Sequence, residues 1–216
     1  TVSWSNASFD HRGITAACSS CHDGVTATGK HASHIITTAE CDVCHTTATF
    51  VGGQKCAECH KNEYDRWRGS HHDLAMQPAE EGTVLGDFDD ATLVHFGVTS
   101  SFFRKDGKHI VRTEGPDGML HEYEIKYSFG VDPLQQYLVE FPGGRLQALS
   151  IAWDARRADK GGQRWFHLYP GEKIAHDDEL HWTRPGQNWN SMCAECHSTH
   201  LEKNYDSVTR RFSTTW

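Results

Sequence analysis

Residues 93–130 read LVHFGVTSSFFRKDGKHIVRTEGPDGMLHEYEIKYSFG. Three runs rich in β-branched and aromatic residues are separated here by two turn sequences, KDGK at 105–108 and GPDG at 115–118. Such runs on either side of Asp-Gly and Pro-Asp-Gly turns are typical of strands joined by hairpins. We therefore expect an antiparallel β-rich segment in the middle of the chain, from about residue 93 to residue 153.

The segments around this meander are less regular. Residues 133–141 (PLQQYLVEF) fit a strand or a short helix, and residues 145–153 (RLQALSIAW) fit another strand. Residues 61–76 carry aromatic residues at three- and four-residue spacing, which predicts a helix. Residues 154–192 are rich in Gly, Pro, Trp and His with little periodicity, so we expect irregular chain wrapped around a prosthetic group.

All cysteines of the chain occur in four Cys-x-x-Cys-His motifs. The cysteine pairs are Cys18 and Cys21, Cys41 and Cys44, Cys56 and Cys59, and Cys193 and Cys196, and the histidines that follow them are His22, His45, His60 and His197. Zinc sites and disulfides also use such pairs, but neither requires a histidine directly after each one. With 16 histidines in 216 residues, four such coincidences would arise by chance about three times in a hundred thousand.

Haem attachment explains this order of residues. On a helical turn, residues i, i+3 and i+4 share one face, so two cysteine sulfurs and one imidazole can meet the same porphyrin. The sulfurs take the vinyl groups and the imidazole binds the iron. The sequence therefore predicts four covalently bound haem c groups.

Each iron also has a second axial position. The remaining histidines far outnumber the three methionines, so we expect mostly bis-histidine ligation. The candidate distal ligands are His11, His34, His72, His181 and His167. The alternatives are His31 for His34, His71 for His72, and Met76 as a methionine ligand, whereas His95, His109 and His121 are expected to be exposed on strands.

The motifs are unevenly distributed along the chain. Three lie between Cys18 and His60, which predicts a tri-haem segment of residues 1–62 followed by residues 63–216 with a helix, the β-rich segment and the fourth motif. Only 37% of residues are apolar, so we expect haem to supply part of the core. The predicted fold class is α+β with much irregular structure, a haem-packed core, short helices at the Cys-x-x-Cys-His motifs and an antiparallel β-rich middle segment.

Charge and hydropathy limit the partners and the location. With 21 basic and 29 acidic residues the formal net charge is −8, which argues against nucleic acid as a partner. No apolar run approaches the roughly eighteen residues of a membrane span, so no transmembrane segment is predicted. The chain begins at Thr1 without a signal peptide, as a processed chain would, and haem c is attached outside the cytoplasm; we expect a periplasmic or extracellular protein.

Two stretches resemble known cytochromes. Residues 55–77 (KCAECHKNEYDRWRGSHHDLAMQ) and 163–206, with RWFHLYPGEKI, LHW and QNWNSMCAECHST, resemble a bacterial family of multihaem cytochromes c, some of which carry tetratricopeptide repeats. The arrangement is also similar to the cytochrome c-554 group, where the histidine of Ser-x-His falls on His72. In the first family the chain normally continues past a segment like FSTTW (212–216) to a further motif, so we expect a short form or part of a longer protein.

Residues 9–45, from FDHRGITAACSSCH to CDVCH, resemble the haem-binding units of extracellular cytochromes from metal-reducing bacteria, some of which polymerise into conductive filaments. The distal ligands of those units correspond to His11 and His34. Together these features predict an electron carrier whose partners are other redox proteins or copies of itself, as in a filament. The alternative is a haem redox enzyme, or a fragment of one, that acts on small nitrogen or sulfur compounds at an iron with an open site; no catalytic residue is predicted.

Overall fold

The computed structural model describes residues 53–198 and 200–216. The chain forms two compact units, Thr1–Asp65 and Arg66–Trp216. Helix α1 (Gly53–Ala57) lies in the first unit and helix α2 (Lys61–Trp67) begins there. The division at residue 62, which was based on the positions of the haem motifs, stays a prediction.

Strands dominate the second unit. They are β1 (Met76–Pro78), β2 (Ala91–His95), β3 (Val98–Lys105), β4 (Lys108–Glu114), β5 (Leu120–Phe129), β6 (Leu134–Phe141), β7 (Arg145–Ala148), β8 (Ile151–Asp154), β9 (Arg164–His167), β10 (Tyr205–Asp206) and β11 (Arg211–Phe212). Two short helices precede β10, namely α3 (Trp189–Met192) and α4 (Ala194–His197). Nine strands form one antiparallel sheet in the order β2-β3-β4-β5-β6-β8-β9, with β1 paired to β5 and β7 paired to β6.

The two ends of this sheet approach each other, so the seven strands of the main path nearly close into a barrel. The ring of His95 on β2 stacks on the ring of His167 on β9, with centroids 3.7 Å apart. The peptide groups of Tyr169 hold both rings: His95 Nε2 donates to the Tyr169 carbonyl at 3.1 Å, and the Tyr169 N–H donates to His167 Nδ1 at 3.1 Å. These contacts fix both tautomers, since a carbonyl only accepts and an N–H only donates.

Aromatic side chains fill the interior of the barrel. Phe102 on β3 stacks on Trp165 on β9 with ring centroids 3.7 Å apart, and Tyr137 on β6 is fully buried beside them. The indole of Trp165 donates to the carbonyl of Asp87 at 2.9 Å, which satisfies its polar atom. The interior cluster consists of Phe88, Phe102, Val111, Ile125, Tyr137, Val139, Leu149, Ile151, Trp153, Trp165 and Trp182.

A second apolar cluster covers the outside of the barrel wall. On β5 the pairing register shifts between Ile125 and Tyr127, and this bulge turns Tyr127 and Phe129 to the face opposite Ile125. There they meet alternate residues of β6 and β7 and the helices α3 and α4. The outer cluster consists of Phe129, Leu138, Leu146, Ala148, Trp189 and Ala194, with Met76, Tyr127, Cys193 and Leu201 packed against it.

The predicted fold class is wrong. The described residues are mostly β, with few short helices, and protein side chains rather than haem fill the barrel. The chain of residues 154–192 is irregular for most of its length, but its strand β9 completes the barrel and Trp165 and Trp182 belong to the interior cluster. Trp165 and Trp182, in a segment that was expected to wrap around a prosthetic group, are therefore core residues.

The secondary-structure predictions for individual segments were partly confirmed. The antiparallel meander is confirmed, with turns at Asp106-Gly107 and around residues 115–118, and residues 134–141 form a strand. Residues 145–153 form two strands instead of one, because Leu149 and Ser150 separate β7 from β8. The helix predicted over residues 61–76 ends at Trp67, and Gly69 just beyond it takes the left-handed conformation with φ of 74°.

Candidate functional site

The fourth Cys-x-x-Cys-His motif forms a single helical turn. The backbone N–H groups of Cys196 and His197 both donate to the carbonyl of Cys193, each at 3.1 Å. The hydroxyl of Ser198 then closes the turn by donating to the carbonyl of Ala194 at 2.6 Å. Two thiols and one imidazole are thereby held within one turn, as haem attachment requires.

Helix α3 anchors this turn to the outside of the barrel. Trp189 is fully buried in the outer cluster, and Ala194 is buried beside it. Asn190 is also fully buried: the Leu146 N–H donates to its Oδ1 at 2.8 Å, and its Nδ2 donates to the Gly144 carbonyl at 3.2 Å. These contacts of α3 therefore attach the motif to the sheet.

The reactive groups of the motif lie at the edge of the outer cluster and are exposed to different degrees. Cys193 is half-buried, Cys196 and His197 are exposed, and both cysteines are free thiols. Burial raises the pKa of the Cys193 thiol, and the nearby Cys196 adds to this effect. The ring of His197 lies edge-on to Phe129, with centroids 5.5 Å apart. Free thiols, an accessible imidazole and an aromatic neighbour fit a covalently attached haem c.

The third motif has the same backbone geometry. The N–H of Cys59 donates to the carbonyl of Cys56 at 3.2 Å, and the N–H of His60 donates to the same carbonyl at 2.7 Å. Both cysteines are exposed free thiols. Lys55, which precedes the first cysteine, and Glu58, which lies between the two, form an ion pair of 3.0 Å on the surface. This turn fits the same cofactor.

Several predicted ligands lie outside the described residues, namely Cys18, Cys21, His22, Cys41, Cys44, His45, His11 and His34. Their roles stay predictions. His72 is exposed in the turns between α2 and β1, and its carbonyl accepts from the Ala75 N–H at 3.4 Å. Met76, the alternative ligand, packs against the outer cluster to which Cys193 also belongs.

His167 and His181 lie together in a different place. Both line a cavity of about 300 Å³ in the barrel, with Leu149, Ile151 and Trp182 of the interior cluster among its other walls. His181 is 4% exposed, and its Nδ1 lies 2.8 Å from the Thr183 hydroxyl. The structure thus places these two histidines with the interior cluster, whereas His197 lies beside Phe129 of the outer one. Their role as haem ligands stays a prediction.

Burial controls the protonation of these two imidazoles. It lowers the pKa of His167 to about 4, with the charge of His95 adding to the effect. It also lowers the pKa of His181 to about 4, with Arg184 as the next cause. Both rings are therefore neutral near pH 7.

Of the residues that line this cavity, sequence reasoning singled out only His167 and His181 as site residues; His95, His176 and Ser150 are among those that it missed. His95 was expected to be exposed but is half-buried through its stack on His167, and His109 is only 4% exposed. Only His121 is exposed as expected. Strand alternation could not separate these cases, because the stacking partner of His95 comes from a distant strand. Within residues 53–198 and 200–216, no group of three or more His, Cys, Asp and Glu residues is arranged to hold a metal ion.

Comparison with known proteins gives one family match. Residues 55–86, which include the third motif, α2, His72 and β1, match the family model described as Cytochrome c554 and c-prime. No curated protein and no solved structure matches the chain. The family match supports a c-type cytochrome that carries covalently bound haem c, transfers electrons and is exported. None of the helices in the part of the chain that the structure describes is long and apolar enough to cross a membrane.

Proposed function

We propose that the protein is a tetrahaem c-type cytochrome that passes electrons through closely packed, mostly bis-histidine haems in the periplasm or at the cell surface. The observation that carries the proposal is the shared geometry of the two described motifs. In each, the N–H groups of the second cysteine and of the histidine donate to the carbonyl of the first cysteine. The first two motifs have the same sequence pattern, so the same turn is expected of them.

The residues of the fourth motif have separate tasks in this function. Cys193 and Cys196 would hold the cofactor, and His197 would bind its iron. Bound haem c supplies a one-electron couple at iron. Phe129 packs edge-on against the His197 ring, and Asn190 holds α3 against β7. The barrel acts as the scaffold that holds the fourth motif.

The partners belong to the same proposal. Electron donors and acceptors are other redox proteins or further copies of this chain, and the resemblance of residues 9–45 to filament-forming cytochromes supports the second. A haem enzyme would need an iron with an open position, and no observation in the described residues favours one.

Intact mass spectrometry of the purified holoprotein, combined with a haem assay, tests the haem number. We expect the mass of the chain plus four haems. Replacing Cys193 and Cys196 by Ser should remove one haem, whereas Ser191→Ala on the neighbouring helix should remove none. A wild-type protein with fewer than four haems, or an unchanged count in the double variant, would contradict the proposal.

A further inference from the structure

The cavity in the barrel is a candidate ligand site whose lining includes no residue of the fourth haem motif. Its volume of about 300 Å³ lies at the lower end of the range for small-molecule pockets, roughly 300 to 1,000 Å³. One part of its wall is apolar and includes Val98, Leu149, Ile151 and Ile174. A ligand that fits must therefore bring apolar surface as well as polar groups.

The polar part of the wall offers hydrogen-bond donors. Ser150 is 5% exposed, and its Oγ has no hydrogen-bond partner among the residues that the structure describes. A buried hydroxyl without a partner costs free energy, so a ligand atom that accepts from it is favoured. His167 offers a second donor, because its Nδ1 accepts from the Tyr169 N–H and its proton therefore sits on Nε2.

The hydrogen-bond donors of the wall suit an anion better than a metal cation. Lys173 provides an ammonium group among the lining residues. Among the described residues Glu114 is the one carboxylate that lines the cavity; its Oε2 lies 3.7 Å from the Nε2 of His181, which is neutral near pH 7, so the charge of Glu114 is balanced by Lys173 alone. Two ring nitrogens of the wall are already occupied, because His95 Nε2 and His167 Nδ1 both bond to the backbone of Tyr169.

From these contacts we infer that the cavity binds a small organic monocarboxylate with a short hydrocarbon body. The carboxylate accepts from Ser150 Oγ and His167 Nε2 and is attracted by Lys173. The hydrocarbon lies against Leu149, Ile151 and Ile174. An inorganic anion would satisfy the donors but leave the apolar wall uncovered.

Calorimetric titration of the oxidised holoprotein with acetate, propanoate and butanoate tests this inference. Each added methylene should tighten binding about fourfold until the cavity is full. Butan-1-ol, which has the same body without the charge, and sulfate, which has charge without the body, should each bind at least tenfold more weakly than butanoate, by about the strength of a charged hydrogen bond. Equal binding of the alcohol, no dependence on chain length, or no saturable binding would overturn the inference.

Two variants test whether the carboxylate binds in this cavity. Ser150→Ala and Lys173→Gln should each weaken butanoate binding about tenfold, because each removes a contact to a charged group. The matched control is Lys160→Gln, an exposed lysine outside the cavity, which should leave the affinity unchanged. The Soret band must stay in place during the titration; a shift would put the carboxylate on a haem iron, and the inference would fail whatever the haem number.

Discussion

Asn190 shows how one polar side chain positions the fourth motif. It is fully buried and has four partners. Its Oδ1 accepts from the Leu146 N–H at 2.8 Å and from Asn188 Nδ2 at 3.1 Å, and its Nδ2 donates to the Gly144 carbonyl at 3.2 Å and to the Thr214 hydroxyl at 2.9 Å. Removing the side chain leaves buried groups unpaired. Asn190→Ala should therefore lower the free energy of unfolding by about 3 kcal/mol in chemical denaturation.

The exposed neighbour Ser191 provides the control for this variant. Ser191→Ala lies on the same helix and should change stability by less than about 0.5 kcal/mol. Equal stability of the two variants would show that the Asn190 hydrogen bonds do not hold α3 on the sheet.

His181 makes stability depend on pH. Its pKa is lowered to about 4 in the folded chain, first by burial and then by Arg184, while an unfolded histidine titrates near about 6.5. The unfolded chain therefore binds the proton first, and folded stability falls as the pH drops from about 6.5 to about 4. Because one unit of pKa corresponds to about 1.4 kcal/mol, the loss from His181 reaches about 3 kcal/mol.

His181→Gln should remove this part of the pH dependence. Denaturation curves of wild type and variant, taken at several pH values, should differ by a stability gap that changes by about 3 kcal/mol between about pH 7 and about pH 4. The control Ser191→Ala removes no titratable group and should show a constant gap. A constant gap for His181→Gln as well would mean that this histidine is not buried in its neutral form.

Strands β2 and β9 meet through side chains and the backbone of Tyr169 rather than through paired strand hydrogen bonds. His95 stacks on His167, and both bond to Tyr169. His95→Ala removes the stack and one bond, so we expect amide protons of β2 and β9 to exchange about tenfold faster with solvent, as for a loss of about 1.4 kcal/mol. Hydrogen exchange with mass spectrometry measures this, and His121→Ala on β5 is the control. Unchanged exchange in β2 and β9 would show that the barrel is closed by other contacts.

The elements also show what sequence can and cannot predict. Turn residues such as Asp106-Gly107 act locally, so the hairpins were predictable. The barrel was not, because its core depends on pairs such as Phe102 and Trp165, which lie far apart in sequence. The bulge after Ile125 could not be predicted from the sequence either. It turns Phe129 towards the fourth motif and away from the barrel interior.

The haem motif and the cavity also differ in how far the sequence predicts them. The haem-binding residues Cys193, Cys196 and His197 follow from spacing alone, because the attachment chemistry lies within one helical turn. The cavity of His167 and Ser150 could not be predicted, since its walls come from strands and loops that meet only in the folded barrel. Tryptophan and histidine in residues 154–192 suggested a haem wall, yet Trp165 and Trp182 serve the core.

The second unit, Arg66–Trp216, has a core of its own, which changes what haem is needed for. Since the barrel is filled by side chains such as Phe102, Tyr137 and Trp165, it should fold without cofactor. A variant with all eight cysteines replaced by Ser should keep a β-sheet circular dichroism spectrum and unfold cooperatively. Adding Trp165→Ala should lower its stability by about 4 kcal/mol. A haem-free chain without a cooperative transition would show that haem does hold the barrel together.

The central claim is that all haems carry electrons and none has an open iron. Low-temperature electron paramagnetic resonance of the air-oxidised holoprotein, recorded with and without cyanide or nitrite, tests it most directly. We predict low-spin signals for every haem and no change on adding either ligand, since two axial side chains occupy each iron. A high-spin signal that converts on adding cyanide or nitrite would contradict the account and make the protein a haem enzyme.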